Sequence, residues 1–318
     1  MSPVRLCVMV LLLLAGADAR AVVVAGANGG GNTTNNTTAA QMAAQLGLAN
    51  TAFLGNVLPY SNAGSVYLGW ANTVDGPRAY LLSAIHIDIS NTMLINAVSY
   101  SVTRQSISGS DLALLTLSNV GGIMPPLPVA NLATATPTVG TSVIMAGFGQ
   151  NRVQPAATNA FASDAVPVTD GTGYSTTLPQ ILRWGTNQTA RVNAPPDPPL
   201  PLALLNLGGR PTVSFMTTFD EPASGEWLSG NEAQAVLGDS GGGVFDTNGN
   251  LAGIIVAVSG SDKTDAAFGE ASWFADIATY RTAIDTAIGY TLVPEPSTTA
   301  LCFIGGGAVL FAALRRRR

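Results

Sequence analysis

Short apolar runs separated by turn-forming residues constrain the fold of this chain more than any other feature of its sequence. Gly and Pro together number 54 (35 + 19), and only 10% of the residues are charged. Runs this short, bounded by turn formers, are typical of strands at close spacing in a sandwich or barrel. The sequence therefore predicts an all-β fold. The predicted strands are residues 65–69, 79–82, 93–95, 112–117, 142–148, 165–168, 213–216, 243–245 and 251–258.

A proline-rich segment divides these strands into two sets. Residues 125–128 read Pro-Pro-Leu-Pro, and proline is excluded from central strands because it cannot donate to the ladder. We therefore predict two halves, about residues 51–130 and 140–270. Apolar residues then recur at helical spacing, which predicts one amphipathic helix over residues 273–289. These residues are Ile277, Tyr280, Ile284 and Ile288.

The amino-terminal residues have the order of a secretory signal. A short positive start precedes an apolar run at residues 6–16, and small residues follow at Ala17, Ala19 and Ala21. Either Ala17 with Ala19 or Ala19 with Ala21 fits an A-x-A cleavage site. A membrane anchor is the alternative, but the run is too short to cross a bilayer. We predict a signal peptide over residues 1–21 and therefore export.

A low-complexity segment follows the predicted signal. Residues 26–40 contain only Gly, Ala, Asn and Thr. Such a composition buries very little apolar surface and therefore cannot offset the entropy of ordering. We predict a flexible arm over residues 22–50.

The carboxyl-terminal residues, 291–318, combine three features in order. Pro294-Glu295-Pro296 precedes an uncharged, mostly apolar stretch at residues 298–314, and four arginines close the chain. A span of about 17 residues is at the lower limit for a transmembrane helix, and terminal arginines favour the cytoplasmic side. A plain tail anchor is one interpretation.

The same order resembles the PEP-CTERM sorting signal of Gram-negative bacteria. That resemblance implies transient membrane anchoring and an exosortase-type processing enzyme as a partner. It also implies a destination in the cell envelope, at the cell surface or in the medium.

Charge and cysteine content exclude several classes of function. The net charge is −5, and a nucleic-acid surface needs clustered Lys and Arg. Cys7 lies in the predicted signal and Cys302 in the predicted tail helix, so the intervening domain has neither a disulfide nor a thiolate site. Because His86 is the one histidine, a zinc cluster is excluded. We predict no metal and no cofactor.

A glycine-rich hexapeptide, residues 238–243, reads Gly-Asp-Ser-Gly-Gly-Gly. Glycines permit a sharp turn in which the amides of Gly238 and Ser240 point to one place, where a carbonyl oxygen could become an oxyanion. A serine hydroxyl needs a base within hydrogen-bond reach to act as a nucleophile. His86 is the available imidazole, and either Asp111 or Asp88 could orient it.

Three local patterns occur in the order His, Asp, Ser. They are Ser83-Ala84-Ile85-His86, Asp111-Leu112-Ala113-Leu114 and the hexapeptide around Ser240. They resemble the motifs of the trypsin/chymotrypsin-like serine proteases, and their chain order differs from that of subtilisins and α/β-hydrolases. The likeness covers about residues 60–290. Met145 to Gly149 and Leu251 to Ile255 also resemble strands of that family.

This resemblance implies a domain over residues 51–290 made of two six-stranded antiparallel β-barrels with a C-terminal helix. It implies that Ser240 is the nucleophile, His86 the general base and Asp111 the group that orients the imidazole. Gly238 and Ser240 would form the oxyanion hole, and Asp239 would be buried and hold the loop.

The sequence departs from the family pattern at its start. Many family members have an Ile-Val-Gly-Gly start, whose freshly cut amine pairs with the aspartate before the nucleophile. Here Arg20-Ala21-Val22-Val23 is a poor substitute and lies beside the predicted signal cleavage site. Asp239 therefore has no assigned partner. Since a buried unpaired carboxylate is costly, another cation or a polar network must serve.

The family's S1 pocket suggests two specificity residues. Counting back six residues from Ser240 places Gln234 at the pocket base, where a trypsin has an aspartate, and Val258 near the pocket wall. A shift in this alignment would bring Ala235, Val236 or Leu237 to the base instead. We expect uncharged P1 side chains to be preferred.

The sequence thus predicts an exported serine endopeptidase that acts on protein or peptide substrates. The alternative is a catalytically inactive protease-like module that serves in surface binding or in a matrix. A third interpretation is a tail-anchored structural envelope protein in which the Gly-Asp-Ser-Gly loop is incidental.

Overall fold

The structure is a computed structural model of the 318-residue chain. It describes residues 22–24, 48, 51–119, 121–149, 151–152, 173–177, 182–190, 202–220, 232–259 and 265–292. The predicted signal peptide, most of the predicted arm, the strand predicted at residues 165–168 and the sorting tail from residue 293 onward lie outside these residues.

The described residues form strands, a short 3-10 turn at Ala52–Asn56 and one α-helix near the carboxyl end. In chain order the elements are β1 (Val23–Val24), β2 (Val57–Tyr60), β3 (Ala63–Thr73), β4 (Gly76–Ala84), β5 (Thr92–Ile95), β6 (Val98–Ser106), β7 (Leu112–Ser118), β8 (Ser142–Gly147), β9 (Asn151–Arg152), β10 (Gly173–Thr177), β11 (Arg183–Gln188), β12 (Ala203–Leu207), β13 (Arg210–Thr218), β14 (Ala233–Gln234), β15 (Gly243–Phe245), β16 (Leu251–Val258), β17 (Asp265–Ala267), β18 (Ala271–Asp276) and α1 (Ile277–Ile288).

The first half of the domain is a six-stranded antiparallel sheet with the order β2-β3-β4-β7-β6-β5. The Tyr60 hydroxyl, at the end of one edge strand, donates to the Ser90 carbonyl (3.0 Å) and accepts from the Ser90 amide (3.2 Å). Ser90 precedes the strand at the other edge, so these bonds join the two edges as in a barrel. Tyr67, Leu81 and Leu115 are paired across neighbouring strands on one face of this sheet and are fully buried.

The second half is a seven-stranded sheet with the order β11-β8-β15-β16-β18-β13-β12. Its pairings are all antiparallel. Phe215 and Phe274, on neighbouring strands, are fully buried with ring centroids 5.1 Å apart. The prediction of an all-β fold with two antiparallel sheets and a C-terminal helix is confirmed. The second sheet has seven described strands where six were expected.

The helix α1 begins later than the sequence pattern predicted. Residues 273–276 belong to β18, and the Asp276 side chain accepts the amide of Thr279 at 3.0 Å, which caps the first turn. Gly289, in the left-handed conformation with φ 66°, ends the helix. The face that packs on the sheet is the predicted one, namely Ile277, Tyr280, Ile284 and Ile288.

The start of the predicted flexible arm is ordered. Val22 is fully buried, and β1 pairs antiparallel with β14 through Val23–Gln234 and Val24–Ala233. These residues are ordered by a tertiary contact, because β1 pairs with the edge of strand β14, and no local sequence pattern reveals that edge. A third small sheet has the order β17-β10-β9.

Membrane crossing was predicted for residues 298–314, which lie outside the described residues. In the part of the chain that is described, no helix combines the length and apolarity needed to span a bilayer.

Candidate active site

The nucleophile loop connects β14 to β15 and is supported by the first sheet. Gly238 and Gly241 have φ values of 95° and 81°, which glycine adopts without steric cost. A Cβ at Gly241 would lie 2.0 Å from the carbonyl oxygen of Gly64 on β3, so no larger residue fits. The amide of Gly64 also donates to the Ser240 carbonyl at 2.8 Å. The two halves of the domain therefore meet at the serine.

His86 follows β4 and lies between an aspartate and the serine. Its Nε2 atom is 2.8 Å from Ser240 Oγ, and its Nδ1 atom is hydrogen-bonded to Asp111 Oδ2. The amide of Ile85 donates to the Asp111 carbonyl at 2.7 Å, which fixes the two segments side by side. This arrangement corresponds to the tautomer with the proton on Nδ1 and a free acceptor at Nε2 facing the hydroxyl.

Asp111, and not Asp88, contacts the imidazole. Asp111 precedes β7 and is fully buried, whereas Asp88 is exposed and accepts from Asn62 Nδ2 at 3.2 Å. A buried carboxylate holds the imidazole ring in one orientation. At a solvated carboxylate, water would compete with the ring for the hydrogen bond. The structure thus brings together His86, Asp111 and Ser240 and leaves Asp88 apart.

Two residues that sequence reasoning missed support Asp111 from the second half of the domain. Thr212 on β13 accepts the amide of Asp111 through its Oγ1 atom at 2.8 Å. The Tyr280 hydroxyl on α1 accepts the amide of Val213 (2.7 Å) and donates to the carbonyl of Gly109 (2.9 Å). Tyr280 was recognised only as an apolar helix position, and a polar tip on that buried face was the available signal.

Asp239 is fully buried, as expected, and the structure shows what surrounds its carboxylate. Oδ1 accepts the amide of Gly149 at 2.7 Å, and Oδ2 accepts the amide of Val236 at 2.8 Å. A third backbone hydrogen bond comes from Val22, and the positive charge of Arg183 is close by. Burial outweighs these effects and raises the pKa of Asp239 to about 7. The missing partner is therefore a polar network in which Val22 takes part.

Two glycines make room for this carboxylate. A Cβ at Gly147 would lie 2.2 Å from Asp239 Oδ1, and one at Gly149 would lie 2.5 Å from Asp239 Cγ. The two glycines of the Gly-Phe-Gly sequence at the end of β8 are thus required, because a larger residue at either position would clash with Asp239, which precedes the nucleophile.

The amides of Gly238 and Ser240 flank Asp239 in the chain. Among the described residues, neither amide donates to a protein acceptor. Two donors left open beside a serine hydroxyl are what a developing oxyanion would require.

An open cavity of about 290 Å³ adjoins the serine. Its wall is mostly apolar, and it includes Val258 as expected. Gln234 is not among its lining residues, because that side chain is fully buried in β14 and its Oε1 accepts from Ser272 Oγ at 2.9 Å. The lining residues are His86, Leu207, Gly208, Val236, Leu237, Ser240, Ile255, Val256, Ala257 and Val258.

Within the described ranges, no group of three or more His, Cys, Asp and Glu residues is arranged to hold a metal ion.

No protein-family model matches the sequence, and no curated protein matches it. Among solved structures, the chain is similar to the HtrA-type protease AlgW, solved with a decapeptide, at 16% identity and a TM-score of 0.39. That match covers 72% of this chain and 53% of AlgW, so the chain spans about half of AlgW's length. It is also similar to neuropsin, a serine protease from mouse brain, at 16% identity and a TM-score of 0.41, covering 73% and 92%.

The class of fold follows from the strands of this chain itself and not from these similarities. Two antiparallel β-sheets, with a C-terminal helix packed on the second, form the trypsin-like double-barrel fold. At this identity and TM-score the neighbours carry no inference about activity, which depends instead on the hydrogen bonds of the site.

Proposed function

We propose that this chain is an exported serine-type endopeptidase that hydrolyses peptide bonds through an acyl-enzyme. The observation that carries the proposal is the continuous set of hydrogen bonds from Asp111 through His86 to Ser240, with 2.8 Å between Nε2 and Oγ. A nucleophile, its base and the group that orients the base are therefore within reach of each other.

The reaction follows from this order of residues. Ser240 Oγ attacks the scissile carbonyl while His86 Nε2 takes its proton, and His86 then returns that proton to the leaving amine. Asp111 holds the imidazole with Nδ1 protonated and stabilises the imidazolium. Water then attacks the acyl-enzyme by the same route and releases the acid.

The oxyanion of each tetrahedral intermediate is stabilised by the amides of Gly238 and Ser240. Loss of one such donor typically slows an enzyme about 10²–10³-fold. Gly238 has a positive φ of 95°, so this position takes no L side chain without strain.

The substrate is a protein or peptide with an uncharged P1 side chain. Among the described residues that line the cavity beside Ser240, none is acidic, and the wall near Val258 is aliphatic. An arginine or lysine would be desolvated there without a partner, which is costly. Cleavage of a peptide library tests this point, and a profile dominated by Arg and Lys at P1 would refute it.

A fluorophosphonate probe tests the proposed activity directly. The purified protein should be labelled covalently, and Ser240→Ala should abolish labelling with an unchanged circular dichroism spectrum. A folded wild-type chain that stays unlabelled would favour the catalytically inactive module.

Localisation and the tail complete the proposal. The signal-like residues 1–21 and the PEP-CTERM-like order of residues 291–318 support export and processing by an exosortase-type enzyme. Intact-mass measurement of the cellular protein is the test. A mature species that still ends at Arg318 would mean a permanent tail anchor and would leave the protease proposal standing.

A further inference from the structure

A second concavity lies beside the proposed catalytic histidine, outside the cavity that adjoins Ser240. It is an open groove of about 680 Å³. Ile85 and Ile87, the two neighbours of His86 in the chain, form part of its wall, so the groove begins next to the residue that carries the imidazole. We call this space the arginine groove. Its other lining residues are Asp88, Ile89, Arg104, Ser106 and Arg210.

Arg104 reaches the arginine groove from strand β6 of the first sheet. Successive residues of a strand alternate between the two faces of a sheet, so Tyr100, Val102 and Arg104 share one face. Tyr100 and Val102 are buried, whereas Arg104 is half-buried near the end of the strand. A cation therefore continues a row of buried apolar residues, and it needs either water or an anionic partner at that place.

One hydrogen bond fixes the direction of the Arg104 guanidinium. Its Nη1 atom donates to the carbonyl oxygen of Ile87 at 3.0 Å. A guanidinium carries several further N–H donors in a planar fork, so most of them remain for a ligand. Arg104 forms no ion pair with any residue that the structure describes. The side chain is thus held against the segment that follows His86 without being neutralised there.

Arg210 approaches the same groove from the second half of the domain on a tight hairpin. Gly208 and Gly209 have φ values of 58° and 84°, and positive φ at both central residues is the type I′ turn that here joins β12 to β13. Leu207 and Gly208 line the cavity beside Ser240, whereas Arg210 lines the arginine groove. Arg210 is exposed and has no ion pair with a described residue. One turn therefore borders both spaces.

The arginine groove carries an excess of positive charge in an acidic chain. The sequence has 14 Lys and Arg residues against 19 Asp and Glu, and four of the 14 are the arginines that close the chain. Two of the remaining ten (14 − 4) line this groove. Asp88 is the one acidic residue among the described residues of its wall, and its carboxylate accepts from Asn62 Nδ2 at 3.2 Å. Two guanidinium groups against one carboxylate leave one positive charge in excess.

We propose that the arginine groove binds the acidic side chain of a peptide substrate, an aspartate or glutamate within a few residues of the scissile bond. This inference rests on the proposed protease function, because it names a second determinant of substrate choice for the same site. Arg104 and Arg210 donate to the one carboxylate, and the aliphatic side chains of Ile87 and Ile89 contact its methylene groups. The same residue at P1 would gain nothing, since neither arginine lines the cavity beside Ser240.

The place of the groove limits which substrate residues can reach it. A peptide bound with its P1 side chain in the cavity passes His86, and the wall of the groove includes the residues on both sides of that histidine. An extended chain advances about 3.3 Å per residue and turns successive side chains to opposite sides. The preference for an acidic residue should therefore fall on one position and be absent from its two neighbours.

A series of matched peptides tests the inference. Each peptide has leucine at P1 and alanine elsewhere, and a single glutamate or glutamine is moved through the other positions. The kcat/KM of the glutamate peptide should exceed that of the glutamine peptide about 3–10-fold at one position, as expected for partly exposed ion pairs. Because dissolved ions screen such pairs, raising the salt concentration should lower this ratio. A ratio near unity at every position overturns the inference.

Charge changes supply the matched controls. Arg210→Gln should lower the ratio about 3-fold, and Arg210→Glu should bring it below unity, because two carboxylates would then face one guanidinium. Arg78→Gln also removes one positive charge, but Arg78 lies near the opposite end of β4 from His86 and lines neither space. The ratio for Arg78→Gln should equal that of the wild type, and circular dichroism checks that all three variants are folded. Equal ratios for Arg78→Gln and Arg210→Gln would attribute the preference to net charge and overturn the inference.

A binding measurement separates this inference from the protease proposal. Ser240→Ala removes the nucleophile, and the anisotropy of fluorescent glutamate and glutamine peptides then reports binding without cleavage. Tighter binding of the glutamate peptide, lost in the double variant with Arg210→Glu, supports the arginine groove even if a fluorophosphonate does not label the wild-type chain. Equal or undetectable binding of the two peptides, together with a cleavage ratio near unity, overturns the inference and leaves the protease proposal to be decided by fluorophosphonate labelling.

Discussion

Replacing Gly149 with alanine should test how the nucleophile loop is held. The new Cβ would lie 2.5 Å from both Cγ and Oδ2 of Asp239. Ordinary contact begins near 3.4 Å, so the carboxylate must move by about 0.9 Å (3.4 − 2.5). The Asp239 side chain is short, fully buried and bonded to three backbone amides. It therefore has no flexible end that could give way.

The magnitude follows from these contacts. Overpacking a buried site costs about 1–3 kcal/mol, and weakening hydrogen bonds to a carboxylate costs about 1.5–3 kcal/mol more. Loss of backbone freedom in the unfolded chain returns about 0.4–1 kcal/mol. We expect Gly149→Ala to lower the free energy of unfolding by about 3 kcal/mol. For a domain of this size, Tm should then fall by about 6–12 °C.

Gly55→Ala is the matched control. Gly55 is exposed in the 3-10 turn, and a Cβ there would have no atom within 4 Å. Thermal unfolding followed by circular dichroism should show Tm within about 1 °C of wild type for this variant. In an Asp239→Ala background, where the clashing atoms are gone, Gly149→Ala should cost almost nothing. Equal Tm values for Gly149→Ala, Gly55→Ala and wild type would refute the reasoning.

Three further outcomes are expected. Asp111→Asn should lower kcat in a peptidase assay about 10⁴-fold with the fold intact, because the imidazole would adopt the wrong tautomer. Asp88→Asn should change kcat little. The reverse ranking of these two variants would assign the orienting role to Asp88. Thr212→Val leaves the buried Asp111 amide without an acceptor and should cost about 1–3 kcal/mol in urea unfolding, with Thr212→Ser restoring stability. Folded Asp239 has a pKa of about 7 against 3.8 in the unfolded chain, so the folded state binds the extra proton. The free energy of unfolding should fall by at most about 4 kcal/mol as pH rises from 4 to 7, and an Asp239→Asn variant that kept this slope would contradict the assignment.

Much of the fold followed from local pattern. The spacing of apolar runs and turn residues predicted strands that the structure contains, and the pairing of Asp276 with Thr279 shows why the helix starts four residues later than its apolar period indicated. A periodic pattern reports which face is buried, but a cap reports where the helix begins.

The chemistry-bearing residues were also readable in sequence, since Ser240 lies in a glycine-rich loop and His86 is the one histidine. The resemblance favoured Asp111 over Asp88, but the residues alone left that choice open, because it depends on which carboxylate is buried beside the imidazole. Gln234 shows the same limit. Counting along the loop placed it at the cavity, whereas packing turned its side chain toward Ser272.

The amino-terminal contact shows most clearly what sequence alone could not decide. The sequence by itself predicted a cleavage pattern close to Val22, either Ala17 with Ala19 or Ala19 with Ala21, because that information is local. Only the tertiary structure brought Val22 to Asp239, 217 positions along the chain (239 − 22). The physical reason is that pairing of β1 with β14 and burial of a carboxylate are long-range events, and their energies depend on surfaces that exist only once both sheets have formed.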